Sequence, residues 1–204
     1  LILLSQARKL SGLIPLDFPL AALEGEELDA LVAAHGEVED IYPLSALQQG
    51  LLFHSRLGAG SGEYLVQLTC RLVGPLDPSS LRRAWQLALD RHPALRTAFV
   101  GWELRAEPLQ LVHAQVDLPF AEEDLRDLPE AARRARWAAL LAADRERGFE
   151  VSKAPLLRLV LARVGDGEHL LLATFHHLLL DGWSLGRLFQ EVLAAYAALA
   201  AGRA

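Results

Sequence analysis

Thr174-Phe175-His176-His177-Leu178-Leu179-Leu180-Asp181-Gly182-Trp183-Ser184 is the stretch around which the chain is organised, because it sets groups able to move protons beside a turn. The run that leads into it, His169 to His177, is apolar almost throughout. It follows a partner segment, Leu156 to Val164, across Gly165-Asp166-Gly167-Glu168, and the pair reads as a β-hairpin. Side chains of a strand alternate faces, so if the strand holds through the histidine pair, His176 and His177 point to opposite sides and cannot both serve one reaction centre. One is then catalytic and the other structural. Adjacent histidines on opposite faces also chelate a single metal poorly. No His-Glu-x-x-His or paired-cysteine spacing occurs, so no metal site is expected.

Outward from the hairpin, the pattern alternates between helix and strand. Asp77 as N-cap, Pro78 at the first helical position, and Leu81, Ala84, Trp85, Ala88 and Leu89 in register predict an amphipathic helix that stops at Pro93. A second long helix is expected from Glu130 to Arg147, ended by Gly148, and a last, alanine-rich one from Ser184 to Ala200. Arg133, Arg134 and Arg136 read as a solvated face, with docking of an acidic partner as the minority reading. Ser45 with Gln48 three residues on is a capping box, and Leu47 and Leu51 share one face of the helix it opens. Glu63 to Val73 alternates, with Tyr64, Val66, Leu68, Cys70 and Leu72 on the buried side of a strand. Further strands are expected around Thr97 to Leu104 and Leu109 to Val116. Gly58 to Gly62 reads as a flexible loop without the spacing of a nucleotide cradle.

Residues 1–39 read as a leader, extended at Pro15-Leu16-Asp17-Phe18-Pro19-Leu20 and helical from Glu26 to His35, with Leu28, Leu31 and Val32 on one side. The chain has 204 residues, 52% hydrophobic and 23% charged, which suits a globular core. Its 20 Lys+Arg against 26 Asp+Glu leave a net charge of -6, with no basic footprint for nucleic acid or anionic membranes. The single cysteine, Cys70, has no internal disulfide partner and fits a reducing, cytoplasmic setting. No apolar run approaches the ~18 residues of a membrane span, so a soluble protein is expected. The chain contains no Met, which suggests a piece of a longer polypeptide.

His176-His177-x-x-x-Asp181-Gly182 resembles the signature of nonribosomal peptide synthetase condensation domains, in the chloramphenicol acetyltransferase-like superfamily. Arg91-His92-Pro93-Ala94-Leu95-Arg96-Thr97-Ala98-Phe99 resembles a second motif of that family, and Tyr42-Pro43-Leu44-Ser45-Ala46-Leu47-Gln48-Gln49-Gly50-Leu51-Leu52-Phe53-His54 resembles the first. The family's later Tyr-x-Asp-Tyr and Asn-x-x-x-x-Arg segments are missing, so the resemblance covers an amino-terminal half. It implies an α/β fold: one chloramphenicol acetyltransferase-like lobe, a mixed, mostly antiparallel sheet flanked by helices. It also implies a leader from an upstream carrier protein at 1–39, and an N-terminal lobe at 40–204 whose C-terminal lobe is absent.

The activity implied is that of an amide-forming acyltransferase of antibiotic-type secondary metabolism. His177 assists attack of a carrier-bound aminoacyl amine on an upstream carrier-bound thioester, as base or by positioning the amine; imidazole titrates near ~6.5, close to working pH. The cofactor expectation is none bound by the chain itself, the substrates riding on phosphopantetheine arms of carrier proteins. The partners implied are the upstream and downstream peptidyl carrier proteins, the second lobe and an adjacent adenylation domain. His176 stays structural. Asp181 is an N-cap, and the family's arrangement implies an ion pair with Arg96 if it is buried. Gly182 is expected to allow a backbone geometry or close approach closed to other residues, and its amide is a candidate oxyanion donor.

Three alternatives stand beside this. Gly182-Trp183-Ser184-Leu185-Gly186 spells the nucleophile elbow of an α/β-hydrolase or thioesterase using Ser184, but four residues separate His177 from Gly182 and no His follows Ser184. A degenerate domain that only binds carriers is the non-enzyme reading. An epimerization domain would use the same histidine, although Leu185 stands where such domains usually carry Trp. The motif wording looks most like condensation domains that accept a donor with a D-configured C-terminal residue, with dual epimerising domains open.

Overall fold

A computed structural model describes residues 12–57, 64–102, 105 and 107–202 of the chain. The hairpin predicted from the apolar runs is present: β6 (Leu157–Gly165) and β7 (Glu168–His176) pair antiparallel across Asp166-Gly167. Gly167 holds φ +72°, the left-handed turn conformation that costs glycine nothing. β7 pairs on its other side with β2 (Leu65–Val73), also antiparallel, while β6 takes β5 (Phe120–Asp124) as a parallel neighbour, giving the order β2-β7-β6-β5. A separate three-stranded antiparallel sheet runs β1 (Val38–Pro43), β4 (Leu109–His113), β3 (Thr97–Val100). The mixed, mostly antiparallel expectation therefore holds, divided over two sheets.

The expected helices are present, the last beginning at Gly182 rather than Ser184. α1 is Gly25–His35, α2 Ala46–Leu57, α3 Pro78–Arg91, α4 Glu130–Arg147 and α5 Gly182–Ala200. Asp77 accepts from the amides of Ser79 and Ser80 at the start of α3, and Gly148 closes α4 with φ 58°. Trp85 and Leu89 of α3 and Leu188 and Val192 of α5 pack with Leu159, Leu171 and Phe175 on one face of the four-stranded sheet, making the main core. Trp85 meets the Phe189 ring edge-on at 5.1 Å. α4 covers the other face, with Trp137 against Ala162 and Val164.

Some expectations change. Pro15–Asp17 is a short 3-10 turn rather than extended chain, because Asp17 Oδ2 folds back to accept from the Ile14 amide at 2.8 Å. The segment before β1 packs against the three-stranded sheet: Phe18, Ala21 and Leu28 join Ile41, Ala98 and Leu111. The expected division at 39/40 falls inside β1. Leu47 does not share the buried side of α2 with Leu51; it is 74% exposed and Leu52 is buried instead. β3 is shorter than expected, since the chain turns at Gly101, where φ is +83°, and β4 ends at His113. The proposed loop at Gly58 to Gly62 lies outside the described residues. β1 and β5 were not expected from sequence, because neither alternates: β1 buries only Val38 and Ile41, and β5 carries Glu122, Glu123 and Asp124.

α4 is fastened by a buried charge cluster. Arg158 of β6, 5% exposed, donates through Nε to Asp144 Oδ1 and through Nη1 to the Gly148 carbonyl at 2.6 Å, with its guanidinium 4.2 Å over the Phe149 ring. Asp144 Oδ2 also accepts from Thr174 Oγ1 (2.6 Å) and Gln67 Nε2 (2.9 Å), so β6, β7 and β2 all hold the same carboxylate. Burial pushes the Asp144 carboxyl up, but the bonds from Arg158, Thr174 and Gln67 outweigh it and hold it below the usual range. Because the folded value is depressed, its stabilisation is complete above the unfolded carboxylate value of about 4 and is lost as pH falls through the folded value. Removing one partner leaves a buried charge alone, so Asp144→Ala or Arg158→Ala should cost about 3 to 5 kcal/mol in urea denaturation at pH 7. At acid pH the Asp144→Ala difference should shrink.

Candidate functional site

β7 delivers the histidine pair to the edge of its sheet. His176 is its last residue, and the chain then turns through residues 177–179 before α5 begins at Gly182. The alternation expected of a strand is realised in burial: His176 is 5% exposed and His177 is exposed. The two rings have different partners. Nδ1 of His176 accepts from the Leu178 amide at 3.2 Å, so its proton resides on Nε2, which faces Ser55 Oγ of α2 at 3.4 Å. Burial first, and the neighbouring His177 second, push the His176 ring down to about 4. Above about pH 4 the ring is therefore uncharged, buried and bonded to the chain.

His177 is held the opposite way. Its Nδ1 lies 2.8 Å from the Leu180 carbonyl, which can only accept, so Nδ1 carries the proton and Nε2 keeps a free lone pair. Its main-chain amide donates to the Tyr64 carbonyl at 2.8 Å, Tyr64 itself lying in the left-handed region at φ 64°. The next residues complete the turn: Leu179 N donates to the His176 carbonyl at 3.0 Å, and the Leu178 carbonyl accepts from Gln48 Nε2 of α2 at 3.4 Å. In its neutral form, an exposed imidazole held in this one tautomer can accept a proton, or hold an amine by accepting its hydrogen.

The remaining expected residues divide. Asp181 is the N-cap of α5, accepting from Ser184 N at 2.7 Å, and that bond holds its carboxyl below its usual value. It does not pair with Arg96. Arg96, 4% exposed, spends its donors on the carbonyls of Leu89 (3.2 Å), Ala114 (3.1 Å) and His113 and on Glu39 Oε2 (2.7 Å), tying the end of α3 to β1 and β4. The second motif reaches α5 through other residues, Arg91 at 3.2 Å and His92 at 2.9 Å from the Glu191 carboxylate. Gly182 has no left-handed φ, and a Cβ there would meet nothing within 4 Å, so neither special backbone geometry nor crowding requires glycine among the described residues. Its amide is the first of α5 and has no acceptor within the helix. Ser184 lies in the first turn of α5, not at a strand-to-helix elbow.

Sequence reasoning missed the part played by Gln48, Ser55 and Tyr64 around the pair. Gln48 carried a signal, the capping box, which explains only its bond to Ser45. Of the three arginines expected on a solvated face, Arg134 and Arg136 are exposed, Arg136 meeting Glu123 at 2.7 Å, whereas Arg133 donates to the Val164 and Leu128 carbonyls at 2.6 and 3.1 Å. Among the described residues no cluster of His, Cys, Asp and Glu could hold a metal ion, and no helix is long and apolar enough to cross a membrane.

The condensation-domain family model matches residues 38–204. A linear gramicidin synthase of Brevibacillus parabrevis is 45% identical over 192 residues, covering 94% of this chain and 4% of the synthase. Bacitracin synthase 1 of Bacillus licheniformis is 32% identical over 194 residues, covering 94% of this chain and 4% of that protein. Among solved structures, the starter condensation domain of rhizomide synthetase RzmA superposes with a TM-score of 0.73 at 22% identity, over 81% of this chain and 41% of that one. The first condensation domain of the CDA synthetase gives 0.68 at 22% identity, over 79% and 40%. The chain thus spans a few per cent of these synthases and about two-fifths of the solved domains.

Followed by NMR, the His176 ring should stay neutral down to about pH 4. Its folded value lies below the unfolded ~6.5, so the stability it lends is whole above that value and is lost as pH falls to the folded value, roughly 3 kcal/mol in all. In His176→Phe that acid-side loss should be absent from the pH dependence of unfolding.

Proposed function

The chain belongs to the condensation-domain family of nonribosomal peptide synthetases, and from that premise we propose that it forms peptide bonds between carrier-bound substrates through His177. The amine of a downstream carrier-bound aminoacyl group attacks the thioester carbonyl of an upstream carrier-bound acyl or peptidyl group. The C–N bond forms, the amine gives up a proton, and the C–S bond breaks to leave a phosphopantetheine thiol on the upstream carrier. The observation that carries this reading is the bond from His177 Nδ1 to the Leu180 carbonyl, which leaves Nε2 as an exposed acceptor for the amine hydrogen. Gly182's amide, at the positive end of α5, is the candidate donor to the oxyanion of the tetrahedral intermediate. His176, Asp181 and Arg96 support the site: His176 by holding the Leu178 amide, Asp181 by capping α5, and Arg96 by joining α3 to the three-stranded sheet.

The partners in this reading are the upstream and downstream peptidyl carriers, an adjacent adenylation domain and a second lobe. The leader before β1 would connect the upstream carrier, and the setting is cytoplasmic, in keeping with the free thiol of Cys70. The motif wording favours a donor ending in a D-configured residue. Against the hydrolase reading, Ser184 sits within a helical turn whose amide is bound to Asp181, and the strand ends at His176. Against an epimerization domain stands Leu185.

Proximity of two tethered substrates supplies most of the advantage in such a reaction, and it needs two walls. Leu47, Phe53 and Trp183 are 74%, 61% and 88% exposed on α2 and α5, the elements that flank His177, and fit burial under a second lobe. The 204-residue chain alone should therefore form no product. In a synthetase carrying the whole domain, His177→Ala should reduce dipeptidyl-carrier formation, read by mass spectrometry, by at least about 10²-fold without loss of fold, and Ser184→Ala should change it little. Activity kept in His177→Ala and lost in Ser184→Ala would hand the case to the hydrolase reading.

A further inference from the structure

We propose that Gln48 is a positioning residue for His177, acting through the carbonyl of Leu178; the inference rests on the reading of His177 as the condensing group. The side-chain amide of Gln48 uses both of its ends. Oε1 accepts from the Ser45 amide at 3.0 Å, while Nε2 donates to Gln110 Oε1 at 2.9 Å and to the Leu178 carbonyl at 3.4 Å. Gln110, itself 9% exposed, donates onward to the Pro43 carbonyl at 3.2 Å. A single chain of amides thus runs from the end of β1, through β4 and α2, to the turn beside His177.

The turn is held at Leu178 from two sides. Its amide is bound by the His176 ring and its carbonyl by Gln48. Between them these bonds set the plane of the peptide units on which the turn pivots, and that turn brings the Leu180 carbonyl to within 2.8 Å of His177 Nδ1. Releasing the Leu178 carbonyl frees the turn to open and the imidazole to rotate or change tautomer. The acceptor lone pair on Nε2 then points at the amine for a smaller fraction of the time. The capping role of Gln48 does not need its Nε2 group. The capping box would be satisfied by Glu equally well, whereas the two donor bonds require an amide.

The test uses a synthetase with the complete condensation domain and its carriers. Gln48→Leu and Gln48→Glu are compared with Ser45→Ala, which breaks the same cap but leaves the donor bonds. Gln48→Glu keeps the volume and the cap, so it stays informative if the leucine variant folds poorly. Both Gln48 variants should lower kcat by about 10²-fold while KM for the acceptor carrier stays within about twofold, and Ser45→Ala should change neither. Gln110→Leu should lower kcat in the same sense, and the Gln48→Leu, Gln110→Leu double variant should be no worse than Gln48→Leu, as expected of groups acting as one unit. In nitrogen-15 spectra, the His177 ring should pass from a single neutral Nδ1–H form to a mixture. A kcat within about threefold of the parent in Gln48→Glu, or an equal loss in Ser45→Ala, would overturn the proposal. His177→Ala is measured alongside: if it retains turnover, the reading of His177 fails, and if it is inactive while Gln48→Glu is fully active, only the positioning role fails.

Discussion

A strand that leaves the middle of a sheet must find new partners at once for backbone groups that the ladder had satisfied, and residues 176–181 find theirs almost wholly nearby. The His177 amide takes the Tyr64 carbonyl, the Leu179 amide the His176 carbonyl, the Leu178 amide the His176 ring, and the Leu180 carbonyl the His177 ring. Unpaired, each such group would cost on the order of 1 to 3 kcal/mol if buried. The two imidazoles are thus part of the backbone bonding of the turn. The same arrangement divides them by tautomer: the ring that accepts from the chain is buried and neutral, and the ring that donates to the chain keeps its outer nitrogen open.

That turn is only as fixed as the strand that feeds it. β7 is the second strand of four, with β2 and β6 bonded along both edges, helices α3 and α5 over one face and α4 over the other. Thr174, two residues before His176 and therefore on the same face, is bonded to the Asp144 carboxylate that Arg158 and Gln67 also hold. A buried ion pair is weak evidence for net stability, since desolvation offsets most of its attraction. Its geometric effect is firmer: three side chains, from β6, β7 and β2, share the one carboxylate of α4, so these elements cannot slide past one another without leaving a charge unpaired.

What the sequence made legible follows from the range of the interactions. The hairpin, the helix from Asp77, the helix ended by Gly148 and the opposite fates of His176 and His177 all depend on residues close in the chain, through alternation, capping and turn chemistry. β1 and β5 depend on distant partners. Val38-Glu39-Asp40-Ile41 does not alternate and becomes a strand only because β4 pairs with it, and the acidic run of β5 does so only beside β6. The expected Arg96 to Asp181 pair failed for a related reason. It was carried over from a family arrangement, and here the guanidinium is consumed by Glu39 and three carbonyls while the carboxylate caps its own helix. The link between Gln48 and Leu178 spans 130 positions and had no local sign at all.

The arrangement also explains why three motifs so far apart in sequence belong to one site. The first motif contributes α2, whose Gln48 and Ser55 reach the turn and the His176 ring. The second contributes the end of α3 and the segment after it, whose Arg91 and His92 hold α5 through Glu191 and whose Arg96 holds the three-stranded sheet. The third is the turn itself. The first two motifs thus carry polar side chains that cross from one packed element to another. The apolar positions tolerate exchange for residues of similar volume, whereas a polar side chain that bridges two layers has fixed length and fixed donors. The bridging residues are therefore the ones that relate the exposed nitrogen of His177 to the rest of the fold. In the proposed reaction, chemistry on two tethered substrates would depend on that relation, because a reacting group displaced by an ångström loses the proximity advantage that the tethers create.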